Sequence, residues 1–174
     1  MDLREEILRE HSKRQCVRIA DWVGNDRRRF GKLMVLFLEG EYRVTQRSAW
    51  IVTHCADRHP ELVTSWLSQM FKRMQEPGVH VAVKRNVLRI LSRVEIPHRL
   101  TGALIAFCYE DLSSPDTPVA VQVHAMTIIA NLAETSPGLR LELLGTMRNF
   151  LPTAGPGLLS RIRKITRQLS AESR

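Results

Sequence analysis

Residues 47–52 read RSAWIV, residues 85–90 RNVLRI and residues 123–128 VHAMTI. Successive copies stand 38 residues apart both times, from 47 to 85 to 123. Each is followed by a proline with a leucine two or three positions on: Pro60 with Leu62, Pro97 with Leu100, Pro137 with Leu139. A shorter version comes earlier at residues 13–19, KRQCVRI, with Asn25-Asp26 where the proline would stand. Self-similarity at a fixed period of this length marks a repeat architecture, so the fold is to be sought in one unit and its copies.

Each unit reads as two helices. In the first helix of the second unit, Val44, Ser48, Ile51, Val52 and Cys55 recur at spacings of three and four, which places them on one stripe. Leu62, Val63, Trp66, Leu67, Met70 and Met74 form the stripe of its second helix. The third unit gives Val83, Val87, Ile90, Leu91 and Val94, then Leu100, Leu104, Phe107 and Cys108. The fourth gives Val121, Ala125, Ile128, Ile129 and Leu132, then Leu139, Leu143, Leu144, Met147 and Phe150. Cys16, Ile19, Ala20 and Val23, then Phe30, Leu33, Met34 and Phe37, make up the first. No stretch alternates apolar and polar residues for long enough to predict a strand.

The punctuation agrees. Proline at the first helical position lacks an N–H that would have no partner there anyway. Asn25/Asp26 and Asp116/Thr117 offer side-chain acceptors for the orphan amides of a following helix. A helical pair cannot bury its stripe alone, but a stack of pairs can, with polar capping elements at the ends. The expected fold is therefore all-α: an α-α superhelix, or solenoid, of about four helical pairs forming one domain over 1–174. The units span approximately 12–40, 43–76, 80–112 and 117–152. Leu3, Ile7 and Leu8 supply an opening cap, and a terminal helix at 156–170 with Leu158, Ile162, Ile165 and Leu169 closes the stack.

On residues 41–50, EYRVTQRSAW, and 82–88, AVKRNVL, the chain resembles the HEAT-like, or armadillo-type, superhelical proteins. It is similar in particular to small bacterial HEAT-repeat proteins of about four repeats, as found in Bacteroidetes. The likeness covers nearly the whole chain and speaks to fold far better than to function.

Composition narrows the classes. Hydrophobic residues make up 44% and charged residues 25% of the 174, ordinary for a globular protein. Apolar runs such as Leu33–Leu38 are too short to span a bilayer, so no membrane partner is expected. Three widely spaced cysteines, Cys16, Cys55 and Cys108, without a CxxC, point to a reducing, cytoplasmic setting rather than a disulfide framework. The net charge is +8, and half of the surplus lies in residues 153–174, with five Lys/Arg against one acid. That describes a basic end rather than a basic groove.

Residues 54–59, HCADRH, are the raw material of a metal site or a nucleophile. On a helix, however, His54 shares a face with Trp50, Asp57 and Arg58, while Cys55 points about 100° away, onto the buried stripe. Only His54 and Asp57 converge, too few for zinc. The expected picture is a buried thiol, a histidine against Trp50 and a solvated ion pair. Glu110-Asp111 are expected to be solvated acids where a helix runs into a loop. No G-x-S-x-G, G-x-G-x-x-G or Walker sequence is present. No catalytic set, metal or cofactor is assigned.

Candidate binding residues are cationic. Arg161, Arg163, Lys164 and Arg167 flank the stripe of the terminal helix. They serve either as a solvated cap face or as a nucleic-acid contact whose affinity falls with salt. Arg27 and Arg28, with Arg29, follow the cap at Asn25/Asp26 and crowd the positive end of a helix dipole. A bound anion, met by free helix amides, would relieve that cost. The function expected first is a non-catalytic scaffold holding a protein partner on its concave, second-helix surface. The alternative follows a second resemblance, to HEAT-like DNA glycosylases that excise alkylated bases with tryptophans and an aspartate on a basic concave face. Trp50 with Asp57, or Trp22 with Asp26, would take those roles. The three tryptophans, Trp66 included, read more simply as core.

Overall fold

The computed structural model describes residues 1–171. Ten α-helices and two short 3-10 turns account for the ordered backbone, and no strand occurs among the described residues. The chain divides into two compact units, Met1–Glu95 and Ile96 onward. The boundary falls inside the stretch 80–112 expected to form one helical pair.

The first unit contains α1 (Leu3–Arg9), α2 (Lys13–Val23), α3 (Arg27–Glu39), α4 (Tyr42–Arg58), α5 (Leu67–Met74) and α6 (Val81–Leu91). Helix α4 is its centre, packed against α1, α2, α3 and α6. Its sequence explains the position: Val44, Ser48, Ala49, Ile51, Val52, Thr53, Cys55 and Ala56 are all buried, a face wider than one stripe, as a helix covered on several sides requires. Phe30, Leu33, Met34 and Phe37 of α3, Ile19 and Val23 of α2, and Val83 and Val87 of α6 meet it, each at most 1% exposed. Every predicted first-helix stripe from the first unit to Leu91 is buried.

Asn86 and Thr53 at this centre are paired, as low-dielectric surroundings demand, while the buried Ser48 hydroxyl has no partner among the described residues. Asn86 Nδ2 donates to Ala82 O at 2.7 Å, and the Thr53 hydroxyl lies 2.9 Å from Ala49 O and 3.2 Å from Asn86 Oδ1, tying α4 to α6. Helix ends are closed by side chains. Asp2 and Ser12 cap α1 and α2, and Asp26 caps α3 as expected. Gly24 ends α2 at φ 52°, a left-handed conformation that glycine adopts without a Cβ penalty.

The second unit holds α7 (His98–Ser113), α8 (Val119–Ala133), α9 (Pro137–Phe150) and α10 (Pro156–Ala171). Here α8 takes the central place, with α7, α9 and α10 against it. It buries Val121, Ala125, Met126, Ile128, Ile129, Ala130 and Ala133. Helix α10 lays Leu158, Ile162, Ile165 and Leu169 inward, all four at most 4% exposed. No helix among the described residues is long and apolar enough to cross a membrane.

Three local expectations are corrected. Asp116 and Thr117 do not cap α8; Pro118 occupies that position and makes no side-chain cap bond. The second helix of the second unit is not continuous. Residues Pro60–Leu62 and Thr64–Trp66 are 3-10 turns, and the α-helix starts only at Leu67. Pro60 has no amide to donate, and Thr64-Ser65 are weak helix formers whose hydroxyls compete for backbone groups. Tighter i→i+3 bonds form instead, Leu62 N to His59 O at 3.1 Å and Trp66 N to Val63 O at 2.8 Å. As a result Leu62, Val63, Leu67, Met70 and Met74 stay on the buried side, whereas Trp66 is only half-buried. Finally, α7 and α9 bury shorter stripes than expected: Leu100, Phe107, Leu139, Leu144 and Phe150 remain partly exposed.

Candidate functional site

The His54–Cys55 stretch lies at the end of the central helix α4. Cys55 is 1% exposed, and burial pushes its thiol up to about 12. Such a thiol is protonated at neutral pH and is not a nucleophile. His54 lies against Trp50 with ring centroids 6.0 Å apart, and His11 meets the Trp50 ring edge-on at 5.7 Å. His54 Nε2 is buried without a hydrogen-bond partner. Burial holds the imidazole below its ordinary value, with Arg58, Arg89 and Lys13 pushing the same way against Asp57.

The expected solvated pair of Asp57 with its neighbour Arg58 is not what forms. Asp57 accepts from Arg89, at 2.8 Å, and from Arg93, which come from α6 and the turn after it. Arg58 instead reaches Asp21 on α2. These charges are rungs between adjacent helices rather than parts of a reactive centre. Among the described residues no group of three His, Cys, Asp or Glu converges closely enough to hold a metal ion. Glu110 and Asp111 lie near the end of α7; Glu110 is exposed as expected, whereas Asp111 is corrected, being only 5% exposed.

At the start of α3 the expectation of free amides is corrected. Asp26 Oδ1 accepts from the amides of Arg28 at 2.8 Å and Arg29 at 3.0 Å. Those amide bonds, with the nearby guanidinium charge, hold its carboxyl below the usual range. Arg29 is committed three times over. It donates to Trp22 O at 2.6 Å, lies 3.4 Å from Asp26 Oδ2 and stacks over the Trp22 ring at 4.8 Å. Arg27 and Arg28 are exposed; the Arg28 charge acts on Asp26, whereas the Arg27 side chain has no ion-pair partner among the described residues. The crowding at the dipole's positive end is thus relieved by the protein's own aspartate, which leaves Arg27 as the uncommitted cation beside it. The pairs cast in glycosylase-like roles, Trp22 with Asp26 and Trp50 with Asp57, have both acids already engaged.

Arg27 also belongs to a cleft of about 400 Å³, with Phe30 of α3 on one side and Glu61, Thr64, Ser65 and Trp66 of the 3-10 turns on the other. The break in the second helix creates it by turning Trp66 outward. The ring lies beside Gly31 of α3, where a Cβ would stand in ordinary contact, 3.9 Å from Trp66 Cζ2. The helical stripe alone assigned Trp66 to the core; the weak helix formers Thr64-Ser65 before it are the sequence signal for the break. A second hollow, of about 600 Å³, is bordered by Leu8, Glu41, Tyr42, Arg43 and Arg47. Arg47 donates to Leu8 O at 2.8 Å and Ile7 O at 3.3 Å, closing the end of α1.

On α10 the expected basic face is present. Arg163, Lys164 and Arg167 are exposed and Arg161 is half-buried. None of the four has a carboxylate partner among the described residues; Arg167 Nε donates back to Arg163 O at 3.3 Å.

No curated protein and no solved structure matches the chain. The family described as HEAT repeat domain matches residues 3–169, a span that reaches from α1 into α10 and agrees with the all-α arrangement about α4 and α8. The chain belongs to the HEAT repeat domain family, in the α-α solenoid class that its 38-residue period and helical pairs predict.

Proposed function

We propose that this chain is a non-catalytic repeat scaffold that binds a protein partner through the face lined by its second helices, the concave face in superhelices of this class. One observation carries the reading. On first helices the large exposed apolar side chains stand at the very start, as Tyr42, Val81 and Val119 do. On second helices they stand in mid-helix: Val35 on α3 is 46% exposed and Leu141 on α9 is 71% exposed. Exposed apolar groups amid cations such as Lys32 and Arg148 have the make-up of an interaction surface. Several first-helix charges in the first unit, Asp21, Asp57, Arg58 and Arg89, are by contrast paired across helices.

The test is capture from lysate by the tagged protein, with Val35→Asp and Leu141→Asp compared with Tyr42→Asp. A partner lost with the first two and kept with the third supports the reading. Failure to retain any partner, or retention by all three variants, refutes it.

A second reading rests on the unpaired cations of α10: a nucleic-acid contact through Arg163, Lys164 and Arg167, with Arg161 at its edge. Duplex DNA binding measured at two salt concentrations tests it, because phosphate contacts release counterions and weaken steeply with salt. Absence of salt-dependent binding rejects it.

A further inference from the structure

We propose that the cleft between the first turn of α3 and the 3-10 turns before α5 binds an acidic peptide segment, its carboxylate on Arg27 and a neighbouring apolar side chain against Trp66. This inference rests on the protein-partner reading and gives that partner a recognisable chemistry.

The floor of the cleft is apolar: Phe30 is 1% exposed and Leu62 3%. Its rim is polar and unengaged. The hydroxyls of Thr64 and Ser65 are exposed, and neither they nor the Trp66 indole N–H has a partner among the described residues. Arg27 is exposed and unpaired, since Asp26, the nearest acid in sequence, already serves two amides and Arg29. A guanidinium that makes no ion pair, beside a partly exposed indole over an apolar floor, lacks two things: a planar anion and something flat or aliphatic to cover the ring. One acidic residue beside an apolar one supplies both, and arginine meets a carboxylate in a two-point fork.

Charge and hydrogen-bond chemistry choose a peptide over a nucleotide. Glu61 stands on the same wall, 3.4 Å from His59 Nδ1. A phosphodiester offers acceptors alone and would face this carboxylate with nothing to give it. A peptide backbone brings N–H donors for Glu61 and carbonyl acceptors for the hydroxyls and the indole. The volume, about 400 Å³, holds two or three residues of extended chain, within the range of known ligand sites.

The experiment is nitrogen-15 NMR of the intact chain, following the Trp66 indole cross-peak, assigned with Trp66→Phe. Three probes are compared: a pool of hexapeptides with Glu or Asp fixed at the third position, a matched pool with Gln or Asn there, and oligothymidylate. The acidic pool should move the Trp66 signal, with the amide pool about 10- to 100-fold weaker, the usual worth of a charge-assisted bond. Arg27→Ala, at an exposed position whose folding the same spectrum verifies, should reduce the acidic pool to the level of the amide pool. Arg85→Ala, at an exposed position on α6, should leave it unchanged. Equal response to both pools, retained binding by Arg27→Ala, tighter binding of oligothymidylate, or no shift at about 1 mM peptide, where even weak sites register, overturns the proposal. The two readings fail separately: a captured partner that Arg27→Ala still retains leaves the scaffold standing and removes this cleft from it.

Discussion

Cys55 offers the sharpest test of how the centre of the first unit is built. Its thiol is pushed from 9.0 up to about 12 by burial, and that of Cys16 up to about 11. At pH 8 an ordinary thiol with pKa 9 is about one-tenth thiolate, whereas one at about 12 is roughly one part in ten thousand ionised. An alkylating reagent should therefore modify native Cys55 roughly a thousandfold more slowly than the same residue in urea. Cys16 should be slowed roughly a hundredfold, so it precedes Cys55 about tenfold if attack occurs on the folded chain. Timed alkylation followed by peptide mass spectrometry reads both sites in one sample. Labelling of Cys55 within about tenfold of its rate in urea would refute the argument. It would mean an accessible, ionised thiol beside His54, and nucleophilic chemistry would return to consideration. The same shifts fix a pH dependence. Both folded values are raised, so the stabilisation is complete below pH 9 and is lost as pH rises toward 11 and 12. Over that window the unfolded chain loses protons that the native chain keeps. Unfolding free energy should fall by about 1.4 kcal/mol per pH unit for each thiol, measurable by urea titrations at several pH values.

Other expectations follow from single side chains. Phe30→Ala removes a ring that is 1% exposed against α4 and should lower stability by about 3–5 kcal/mol in urea melts; a drop of under about 1 kcal/mol would place that ring outside the core. At Gly40 a Cβ would fall 2.3 Å from Leu36 O and 2.9 Å from Val44 Cγ1, so Gly40→Ala should destabilise by about 1–3 kcal/mol in the same melts, through a shift of the α3–α4 joint. Because burial depresses His54, its contribution is present above pH 6.5 and is lost as pH falls through the depressed folded value. The imidazole NMR titration should accordingly show a midpoint below 6.5, and one above it would contradict the buried, unpartnered Nε2. If α10 binds duplex DNA, Arg163→Glu with Arg167→Glu should flatten the salt slope by about 0.9 for each phosphate no longer neutralised; an unchanged slope would clear the helix of that role.

Much of the fold was legible because helix burial is periodic and the period is written in the residues. Val44, Ile51, Val52 and Cys55 had to share a face, and they do; Asp26 had the chemistry of a cap, and it is one. The terminal helix was visible from four regularly spaced apolar residues, and it forms at Pro156–Ala171. Family membership then accounts for the repetition itself.

What the residues in order could not decide is which helix stands at the centre and which charge meets which. Asp57 sits beside Arg58 in sequence, yet it joins Arg89 and Arg93, because α6 packs along α4 and brings guanidinium groups from more than thirty residues away. Free amides at the start of α3 follow from the helix alone; their capture by Asp26 depends on the actual turn of the chain. Trp66 fits the stripe by count, but two 3-10 turns rotate it outward and open the cleft with Arg27. Period and composition fix which faces avoid water, since that depends on neighbours three and four positions away. Partners across helices depend on how those faces settle together, and only the tertiary packing determines that.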